Sequence, residues 1–401
     1  MRIRRCAILF LEPREDVAFD LESLLTGGAG LRRKRRWLAL APHLNAEVQV
    51  DATERELLGA LSPGEWVDAK TLAAQPSGVI KRLLREGLLV DDGQRHAAHR
   101  ERDEALRAGH WWPPAALAHR LSRWQGLDSV RAMEANEMVT AADLHGKFGA
   151  PPPQVHEWVP RAQRITLPRA KPDEFEALLA RRTTCRNFDP RRPLSKALFA
   201  RMLQRVFAAQ AQVRVQEDTV FLKKTSPSGG GLHPTGAYLI VQRVIGIAPG
   251  LYHYHPVDHA LEPLPLPAGS VGEPAAVLGE FARRSLAGQH WFANAPALVV
   301  LTPRYGRSFW KYRQHAKAYR ALVLDSGHLS QTVYLSATEL GLGAFVTSAI
   351  NEIDIEQGFG LDSLVEGPLA ICGFGWRSDR MNTTEFDPAG EVWQPEKYAV
   401  S

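Results

Sequence analysis

The first hundred residues alternate short apolar clusters with charged stretches. Residues 3–10 and 46–50 have the apolar pattern of strands, and a connection rich in Gly and Arg, from Gly27 to Arg36, separates them. The apolar spacing that follows predicts three short helices and then a strand with a turn, at 54–61, 68–74, 77–87 and 88–93. This order of elements predicts a winged-helix-like domain.

A winged helix usually binds DNA, and the third predicted helix carries Lys81, Arg82 and Arg85. The same charges are typical of the solvated face of an amphipathic helix. The chain of 401 residues has 49 Lys and Arg against 44 Asp and Glu, a formal net charge of +5, which is a mild excess. We therefore favour the solvated face over a nucleic-acid partner and keep DNA binding as an alternative.

The middle of the chain contains a candidate domain boundary. Residues 95–135 have a polar helical pattern that Pro113 and Pro114 interrupt. Residues 151–153 are all proline, and 160–172 form an extended connector rich in Pro and Arg. The sequence thus predicts a winged-helix-like domain with a helical connector at 1–150 and a second domain at 151–401.

The cysteine content and the apolar runs indicate the compartment. The chain has three cysteines, Cys6, Cys185 and Cys372, and no CxxC pair, so neither a disulfide framework nor a thiolate zinc site is predicted. The first apolar run meets Glu12 and Pro13 too soon for a signal peptide, and no later run could span a membrane. We expect a soluble, cytoplasmic protein.

A basic segment follows the predicted helix at 174–182. Alternate side chains of an extended segment share a face, so Arg182, Thr184 and Arg186 would offer two guanidinium groups and a hydroxyl together. This set suits a phosphate monoester. A solvated basic helix end is the alternative.

A glycine-rich stretch, Lys224-Thr-Ser-Pro-Ser-Gly-Gly-Gly-Leu-His-Pro234, precedes an apolar run at 237–241. Consecutive glycines let backbone N–H groups approach a ligand closely, although a plain turn would use them as well. The stretch is not a Walker loop, and Gly341-Leu-Gly343 and Gly373-Phe-Gly375 lack the spacing of a dinucleotide fingerprint.

Five segments occur in a recognisable order: Arg182-x-Thr-x-Arg186-x-Phe188, Ser226 to Pro234, Gly250-Leu-Tyr-His-Tyr-His-Pro256, Lys311-Tyr312 and Asp325-Ser-Gly-His-Leu-Ser-Gln331. Together they resemble the SagB-type dehydrogenases, FMN enzymes of the nitroreductase superfamily that oxidise azolines to azoles in ribosomally made peptides. The resemblance extends over about residues 140–377, and an ordered set of five is far more specific than one motif.

The resemblance implies an α+β fold, in which a nitroreductase-like domain with a mixed sheet flanked by helices follows the winged-helix-like domain. FMN would lie between the two subunits of a homodimer. The implied cofactor-binding residues are Arg182, Thr183, Thr184 and Arg186 at the phosphate, Pro227, Ser228, Gly229 and Gly230 beside the flavin from the partner subunit, Thr347 and Ser348 in a later turn, and Arg377 by position.

The resemblance also implies a catalytic pair, Lys311 and Tyr312, because SagB-type enzymes use a Lys-Tyr pair near the flavin to remove a proton. A nearby ammonium stabilises tyrosinate, which would serve as the base. A surface lysine beside a packed tyrosine is the alternative. Two departures stand out: Thr184 replaces the usual Ser and keeps its hydroxyl, whereas Gly236 replaces the usual Glu after His-Pro-x.

Three further patterns predict no separate chemistry. His253, His255 and His259 lie in a predicted hairpin without a third convergent ligand, so no metal site is expected. Cys185 lies between basic residues without a placed His base, which favours a spacer role. Asp325 and His328 share a helix face, and capping or dimer packing explains them as well as catalysis does.

We therefore expect an FMN-dependent dehydrogenase that acts on a precursor peptide, with its N-terminal domain binding the leader peptide as an added β-strand. A cyclodehydratase or another maturation protein would be its partner. The enzymatic alternative is a nitro- or quinone reductase that draws electrons from NAD(P)H. The other alternative is a flavin-free winged-helix binding or regulatory protein.

Overall fold

The computed structural model of the protein describes residues 1–72 and 77–393. The chain divides into two compact units. The first unit comprises Met1–Ser122 and Tyr305–Arg320, and the second comprises Arg123–Arg304 and the chain from Ala321 onward. Within the described ranges, no helix combines the length and the apolar character that crossing a membrane requires.

The strands of the described chain are β1 Arg2–Arg5, β2 Phe10–Phe19, β3 Leu31–Leu40, β4 Val48–Val50, β5 Val67–Asp68, β6 Leu89–Asp91, β7 Ala211–Gln216, β8 Thr219–Lys223, β9 Thr235–Val241, β10 Gly250–His255, β11 Ala260–Leu264, β12 Ala297–Pro303, β13 Gly343–Thr347 and β14 Ala370–Gly375.

The α-helices are α1 Leu21–Leu25, α2 Ala52–Ala60, α3 Ser77–Arg85, α4 Ala97–Ala108, α5 Pro113–Leu121, α6 Ser129–Ala135, α7 Ala141–Phe148, α8 Glu174–Arg181, α9 Lys196–Phe207, α10 Pro274–Ser285, α11 His290–Ala293, α12 Tyr305–Phe309, α13 Ala318–Glu339 and α14 Glu352–Phe359. Short 3-10 turns occur at Ala69–Leu72, Arg161–Gln163 and Gly229–Gly231.

The first unit contains a three-stranded antiparallel sheet in the order β5-β1-β6. Its core joins Ile3 of β1 to Leu58 of α2 and Leu83 of α3, all fully buried. Helix α2 begins at a capping box, in which Asp51 and Glu54 each accept a backbone hydrogen bond from the other. Helices α2 and α3 confirm the first and third predicted helices, while the winged-helix assignment of this region stays a prediction.

The second predicted helix, at 68–74, is wrong over its described residues. Val67 and Asp68 form β5, and the chain then makes only a 3-10 turn, Ala69–Leu72, while residues 73 and 74 lie outside the described residues. Asp68 accepts the N–H of Lys70 at 3.0 Å through its side chain. This local bond stabilises a turn in competition with a longer helix.

The predicted connection from Gly27 to Arg36 is wrong in its second half, because β3 begins at Leu31. Strands β2 and β3 pair antiparallel over ten residues each. Opposite charges face each other across this hairpin: Arg33 and Arg35 bond Glu15 at 2.6 and 3.2 Å, and Arg36 bonds Asp16 at 3.1 Å. Such cross-strand pairs stabilise a strand that lacks the apolar alternation used to predict one.

The second unit is built on a six-stranded sheet in the order β11-β10-β9-β12-β14-β13. Alternate residues of its central strand β9 enter two buried clusters. Leu239 belongs to the cluster that includes Phe199 of α9 and Val333 of α13, whereas Ile240 belongs to the one that includes Phe281 of α10. Helices therefore cover both faces of the sheet, and the mixture of helices and strands confirms the predicted α+β class.

The expectation of a mixed sheet needs correction, because all five pairings between neighbouring strands of this sheet are antiparallel. Strands β12 and β13 run in the same direction, but β14 lies between them and pairs antiparallel with both. Parallel contacts occur in the described chain as isolated bridges, between Thr184 and Ala344 at the edge of this sheet and between Leu194 and Val244.

The chain passes from the first compact unit to the second between Ser122 and Arg123 rather than near residue 150. Hydrogen bonds explain this position, because residues 123–127 are bonded to the start of α14. Arg123 bonds Glu356 at 2.5 and 2.7 Å, and the N–H groups of Trp124 and Gly126 donate to Glu352 and Asp354 at 2.9 and 2.6 Å. The Pro-rich residues 151–172 that follow are exposed, and their role as a connector between domains stays a prediction.

Candidate functional site

The basic segment after α8 is extended and alternates in burial. Thr183, Cys185 and Asn187 are buried, whereas Arg182, Thr184 and Arg186 are partly exposed. The N–H of Cys185 donates to Ala344 of β13 at 2.8 Å, which attaches the segment to the edge of the sheet. The structure thus confirms the predicted alternation, which separates two arginines and a hydroxyl from the buried side chains.

Tyr334 of α13 holds two members of the exposed set. Its hydroxyl lies 3.0 Å from the hydroxyl of Thr184, and the guanidinium carbon of Arg182 lies 5.3 Å from its ring centre. The same hydroxyl accepts the N–H of Val346 at 3.1 Å. Burial raises the pKa of Tyr334, so its hydroxyl stays protonated and available as a donor. Sequence reasoning missed this residue because nothing in its local pattern distinguishes it from a core aromatic.

Arg182 and Arg186 are suited to an anionic ligand, because neither forms a salt bridge within the described part of the chain. Arg186 makes a single long hydrogen bond through its side chain, to the carbonyl of Thr384 at 3.4 Å. Two guanidinium groups and the Thr184 hydroxyl therefore form a donor set without acidic partners. The chemistry of this set fits a phosphate monoester such as that of FMN.

Arg377 differs from these two arginines, because its Nη1 pairs with the fully buried carboxylate of Glu385. Its Nη2 donates to the hydroxyl of Thr183 at 3.1 Å. The charge of Arg377 is thus compensated within the chain, and its donors are directed to Thr183 and Glu385. Its role at a phosphate, which rested on position alone, stays a prediction.

Glu385 holds the basic segment in place, and the sequence did not indicate this residue. Its Oε1 accepts the N–H groups of Arg186 and Asn187 at 2.6 and 2.9 Å, and its Oε2 accepts the indole N–H of Trp393 at 2.8 Å. A buried carboxylate is tolerated only when it is paired and hydrogen-bonded, and this one is both. Glu385 therefore fixes the backbone from which the Arg186 side chain projects.

The Pro-Ser-Gly-Gly loop, Pro227–Gly230, is held by the buried side chain of Asp325 in α13. Ser228 donates its hydroxyl to Oδ2 of Asp325 at 2.5 Å, and the N–H of Gly229 donates to Oδ1 at 3.0 Å. The N–H of His233 in turn donates to the Ser228 hydroxyl at 2.9 Å. Asp325, for which the sequence left helix capping, dimer packing and catalysis open, thus positions this loop.

Glycine is required in this loop at two positions for conformational reasons. Gly230 and Gly231 have φ angles of +65° and +68°, in the left-handed region that residues with a Cβ disfavour. A Cβ on the neighbouring Gly229 would lie 3.1 Å from the Cβ of Ala321. These observations favour a shaped loop over an unconstrained turn.

Thr347 and Ser348 lie at the end of β13, the edge strand that also contacts Cys185. The hydroxyl of Thr347 accepts the N–H of Ala349 at 3.2 Å and lies 3.3 Å from Oε1 of Gln289. Ser348 is exposed. The structure therefore brings this turn to the same sheet edge as the basic segment.

The predicted catalytic pair belongs to the first compact unit, whereas every predicted cofactor-binding residue belongs to the second. Lys311 and Tyr312 follow the short helix α12, and the Lys311 ammonium lies 5.4 Å from the centre of the Tyr312 ring. Lys311 is exposed and Tyr312 is half-buried. Their role in catalysis stays a prediction.

Aromatic packing anchors α12 within the first unit. The Tyr305 ring lies 4.6 Å from that of Trp111, and its hydroxyl lies 3.3 Å from Nε2 of His119. Phe309 packs edge-on against the same tryptophan at 4.8 Å. The Lys-Tyr pair is thus carried by an anchored segment.

The predicted hairpin of histidines corresponds to β10 and β11. Two of its histidines pair with single carboxylates, His253 with Glu262 at 2.6 Å and His255 with Asp258 at 3.1 Å, and His259 lies 2.6 Å from the Tyr254 hydroxyl. Among the residues with described placement, no group of three or more His, Cys, Asp or Glu side chains could hold a metal ion.

Comparison with known proteins identifies the region that carries these residues. The family model described as "Nitroreductase family" matches residues 179–376. The chain contains a nitroreductase-family domain. The match to this domain includes the basic segment, the Pro-Ser-Gly-Gly loop and the β13 turn, and it ends one residue before Arg377.

Three relatives are similar to part of this chain. The "Putative nitroreductase MJ1384" of Methanocaldococcus jannaschii is 29% identical over 216 residues, 53% of this chain and 95% of that protein. The trifolitoxin-processing protein TfxB of Rhizobium leguminosarum bv. trifolii is 31% identical over 37% of this chain and 38% of its own length. The microcin B17-processing protein McbC of Escherichia coli is 24% identical over 47% of this chain and 65% of its own length.

A solved structure also matches, a chain of the Escherichia coli microcin synthetase McbBCD complex with truncated pro-MccB17 bound. It is 20% identical, with a TM-score of 0.47, over 68% of this chain and 97% of that chain. The protein thus spans nearly all of the archaeal nitroreductase-family relative but less than two thirds of the length of either peptide-processing relative.

Proposed function

We propose that this protein is an FMN-dependent dehydrogenase that acts in the maturation of a ribosomally made peptide, for example by oxidising an azoline to an azole. The observation that carries the proposal is the donor set of Arg182, Thr184 and Arg186, which has no acidic partner within the described chain. Two relatives of the domain are named as processing proteins of trifolitoxin and microcin B17.

Residues of this chain would contact FMN both at its phosphate and at its flavin ring. Arg182, Thr184 and Arg186 would bind its phosphate. Thr183, whose hydroxyl accepts a hydrogen bond from Arg377, would support this segment. The loop that Asp325 holds would lie beside the flavin ring of the partner subunit in a homodimer, and Thr347 and Ser348 would add contacts from the sheet edge. When bound, FMN supplies a two-electron acceptor for a hydride from the substrate.

Lys311 and Tyr312 would handle the proton in this reaction. Oxidation of an azoline removes a hydride and a proton from adjacent ring carbons, and the freed electron pair forms the new double bond. Tyr312, as tyrosinate, would take the proton, and the Lys311 ammonium would stabilise that anion. Oxygen or another acceptor would then remove the electrons from the flavin.

The first unit would bind the leader of the precursor peptide. Its sheet β2-β3-β4 has edge strands to which an extended peptide could add main-chain hydrogen bonds. A cyclodehydratase would form the azoline before this protein oxidises it. The three cysteines are free and buried, which is consistent with a cytoplasmic protein.

The cofactor test is direct. Purified protein should carry FMN, identified by mass after release from the denatured chain. FAD, or no flavin after expression with excess riboflavin, would overturn the proposal and favour a flavin-free binding protein. A gene for a short precursor and one for a cyclodehydratase beside this gene would support azole formation.

The archaeal relative favours a second candidate, an NAD(P)H-dependent nitro- or quinone reductase, because the chain covers 95% of that protein. The two candidates differ in what reduces the flavin. Bleaching of the flavin by a modified precursor peptide in a single turnover supports the dehydrogenase. Bleaching by NAD(P)H but not by peptide supports the reductase.

A further inference from the structure

A pocket of about 350 Å³ opens in the second unit, where β9 begins and β10 ends. Its lining includes the polar or small residues Lys224, His233, Thr235, Gly236, Arg304 and Glu366. The pocket borders the Pro-Ser-Gly-Gly loop, because the N–H of His233 donates to the Ser228 hydroxyl at 2.9 Å. It therefore lies next to residues that we assign to the flavin but contains none of them.

Lys224 is buried in the wall of this pocket, with 5% of its surface exposed. No carboxylate forms a salt bridge with its ammonium within the described part of the chain. Burial, and secondarily the nearby charge of Arg304, lower the pKa of Lys224 to about 8. An ammonium that lacks a counter-ion in a buried position is costly, and an anion entering the pocket would offset that cost.

Two more donors line the same space. The hydroxyl of Thr235 is buried and has no hydrogen-bond partner in the described structure. Arg304 is exposed, and its guanidinium has no salt-bridge partner among the described residues. The one carboxylate on the wall, Glu366, accepts the Tyr238 hydroxyl at 2.9 Å. Lys224, Arg304 and Thr235 thus remain available to an incoming acceptor.

Gly236 leaves room for that acceptor. A Cβ built at this position would lie 3.6 Å from the carbonyl oxygen of Thr302 and 3.9 Å from Nε2 of His253, which are ordinary contacts. The SagB-type pattern has Glu at this position, so the wall of the pocket lacks that carboxylate in this chain. The ligand can supply it instead.

We propose that this pocket binds a carboxylate of the peptide ligand, from an acidic side chain or a C-terminus, between Lys224, Arg304 and Thr235. That the carboxylate belongs to a peptide rests on the proposed function. The binding of a carboxylate itself does not require flavin, oxidation or a partner protein, so the two proposals can fail separately.

Small probes test this binding on the full chain. Ligand-detected NMR titrations would compare N-acetyl-glutamate α-amide with N-acetyl-glutamine α-amide, and N-acetyl-alanine with N-acetyl-alaninamide. We expect at least one acid to bind tenfold or more tightly than its amide, and the pair that responds identifies a side-chain or a C-terminal carboxylate. Equal binding of acid and amide in both pairs overturns the proposal.

The Lys224→Met variant should lose the preference for the acid, while the Lys223→Met variant should keep it, because the neighbouring Lys223 is exposed and is not among the lining residues of the pocket. Both variants should retain wild-type flavin content, which separates this result from failure of the flavin site. An acid preference that persists in Lys224→Met contradicts the assignment.

Thermal unfolding gives a second test that needs no ligand. Gly236→Glu would place a carboxylate on the wall of the pocket that Lys224 also lines, whereas Gly236→Gln adds the same bulk without charge. The Glu variant should melt at a higher temperature than the Gln variant, and Lys224→Met should abolish that difference. Identical melting of the Glu and Gln variants with Lys224 intact would show that the ammonium does not face position 236.

Discussion

The hydroxyl of Ser228 donates to Oδ2 of Asp325 at 2.5 Å, while the N–H of Gly229 donates to Oδ1 at 3.0 Å. One buried carboxylate of a 22-residue helix therefore satisfies both donors at the start of the glycine-rich loop. The loop shape thus depends on two acceptor oxygens at one side chain.

Asp325→Asn should weaken flavin retention and destabilise the fold by about 1–3 kcal/mol, because an amide offers one acceptor where the loop needs two. Flavin content after gel filtration and urea unfolding measure the two effects. The matched control is Asp218→Asn in the exposed β7–β8 turn, which should change stability by less than about 0.5 kcal/mol. Normal flavin content in Asp325→Asn would separate the loop from the flavin.

Arg182→Ala combined with Arg186→Ala should lose flavin while the protein stays folded, because each charge-assisted contact to the phosphate is worth about 1.5–3 kcal/mol. The neighbouring exposed Arg181 supplies the control, since Arg181→Ala removes a charge outside the extended segment. Absorbance of bound flavin and circular dichroism give the two readouts. Full flavin occupancy in the double variant would place the phosphate elsewhere, with Arg377 as the next candidate.

Tyr312→Phe should keep the flavin but slow substrate oxidation by roughly 10²–10⁴-fold, because the ring remains and the ionisable oxygen is lost. Lys311→Met should act similarly and move the ascending limb of the pH profile, on which Tyr312 loses its proton, to higher pH, since the ammonium that favours tyrosinate is gone. Single-turnover flavin bleaching by peptide measures both, with dithionite reduction as the check on the cofactor.

The exposed Arg313, one residue beyond the pair, provides the matched control for Lys311. Arg313→Met removes a cation from the same turn and should leave peptide oxidation within a few fold of wild type. If Lys311→Met and Arg313→Met behave alike, the Lys-Tyr assignment is wrong.

The binding of an acid in the Lys224 pocket should weaken as the pH rises through about 8, where the ammonium of Lys224 loses its proton. Arg304, Glu366, Tyr238 and three histidines, His233, His253 and His255, line the same pocket. The difference between wild type and Lys224→Met isolates the lysine from these groups. A difference in affinity that is constant from pH 7 to 9.5 would contradict this prediction.

Stability should change in the opposite sense over the same range. The pKa of Lys224 is about 8 in the folded protein and 10.5 as its ordinary value, so the unfolded chain binds more protons between those limits. Raising the pH from 8 to 10.5 should therefore stabilise the wild type relative to Lys224→Met, by up to roughly 3 kcal/mol. Urea unfolding of both proteins at several pH values measures this.

Local patterns predicted the parts of the fold that depend on local physics. The burial alternation at 182–187 and helices α2 and α3 follow from neighbours in sequence, so the sequence was sufficient. The long hairpin β2–β3 was missed because its stability depends on charges paired across strands, such as Arg36 with Asp16. A period-2 apolar search cannot detect such pairs.

The sequence likewise predicted only those parts of the candidate site that form local motifs. The motif order indicated Arg182, Thr184 and the loop at Ser228, whereas Tyr334, Glu385 and the supporting role of Asp325 required the structure. Each of the latter acts on a residue about 100–200 positions away, and no spacing rule reaches that far.

Glu385 accepts the N–H of Asn187 from a position 198 residues later in the chain. At ordinary rates of synthesis, the ribosome needs about 10–40 s to make that length of polypeptide. During this interval the N–H groups of Arg186 and Asn187 have no carboxylate to bind. The segment assigned to the phosphate therefore reaches its final form only after Glu385 has been translated, long after its own residues have left the ribosome.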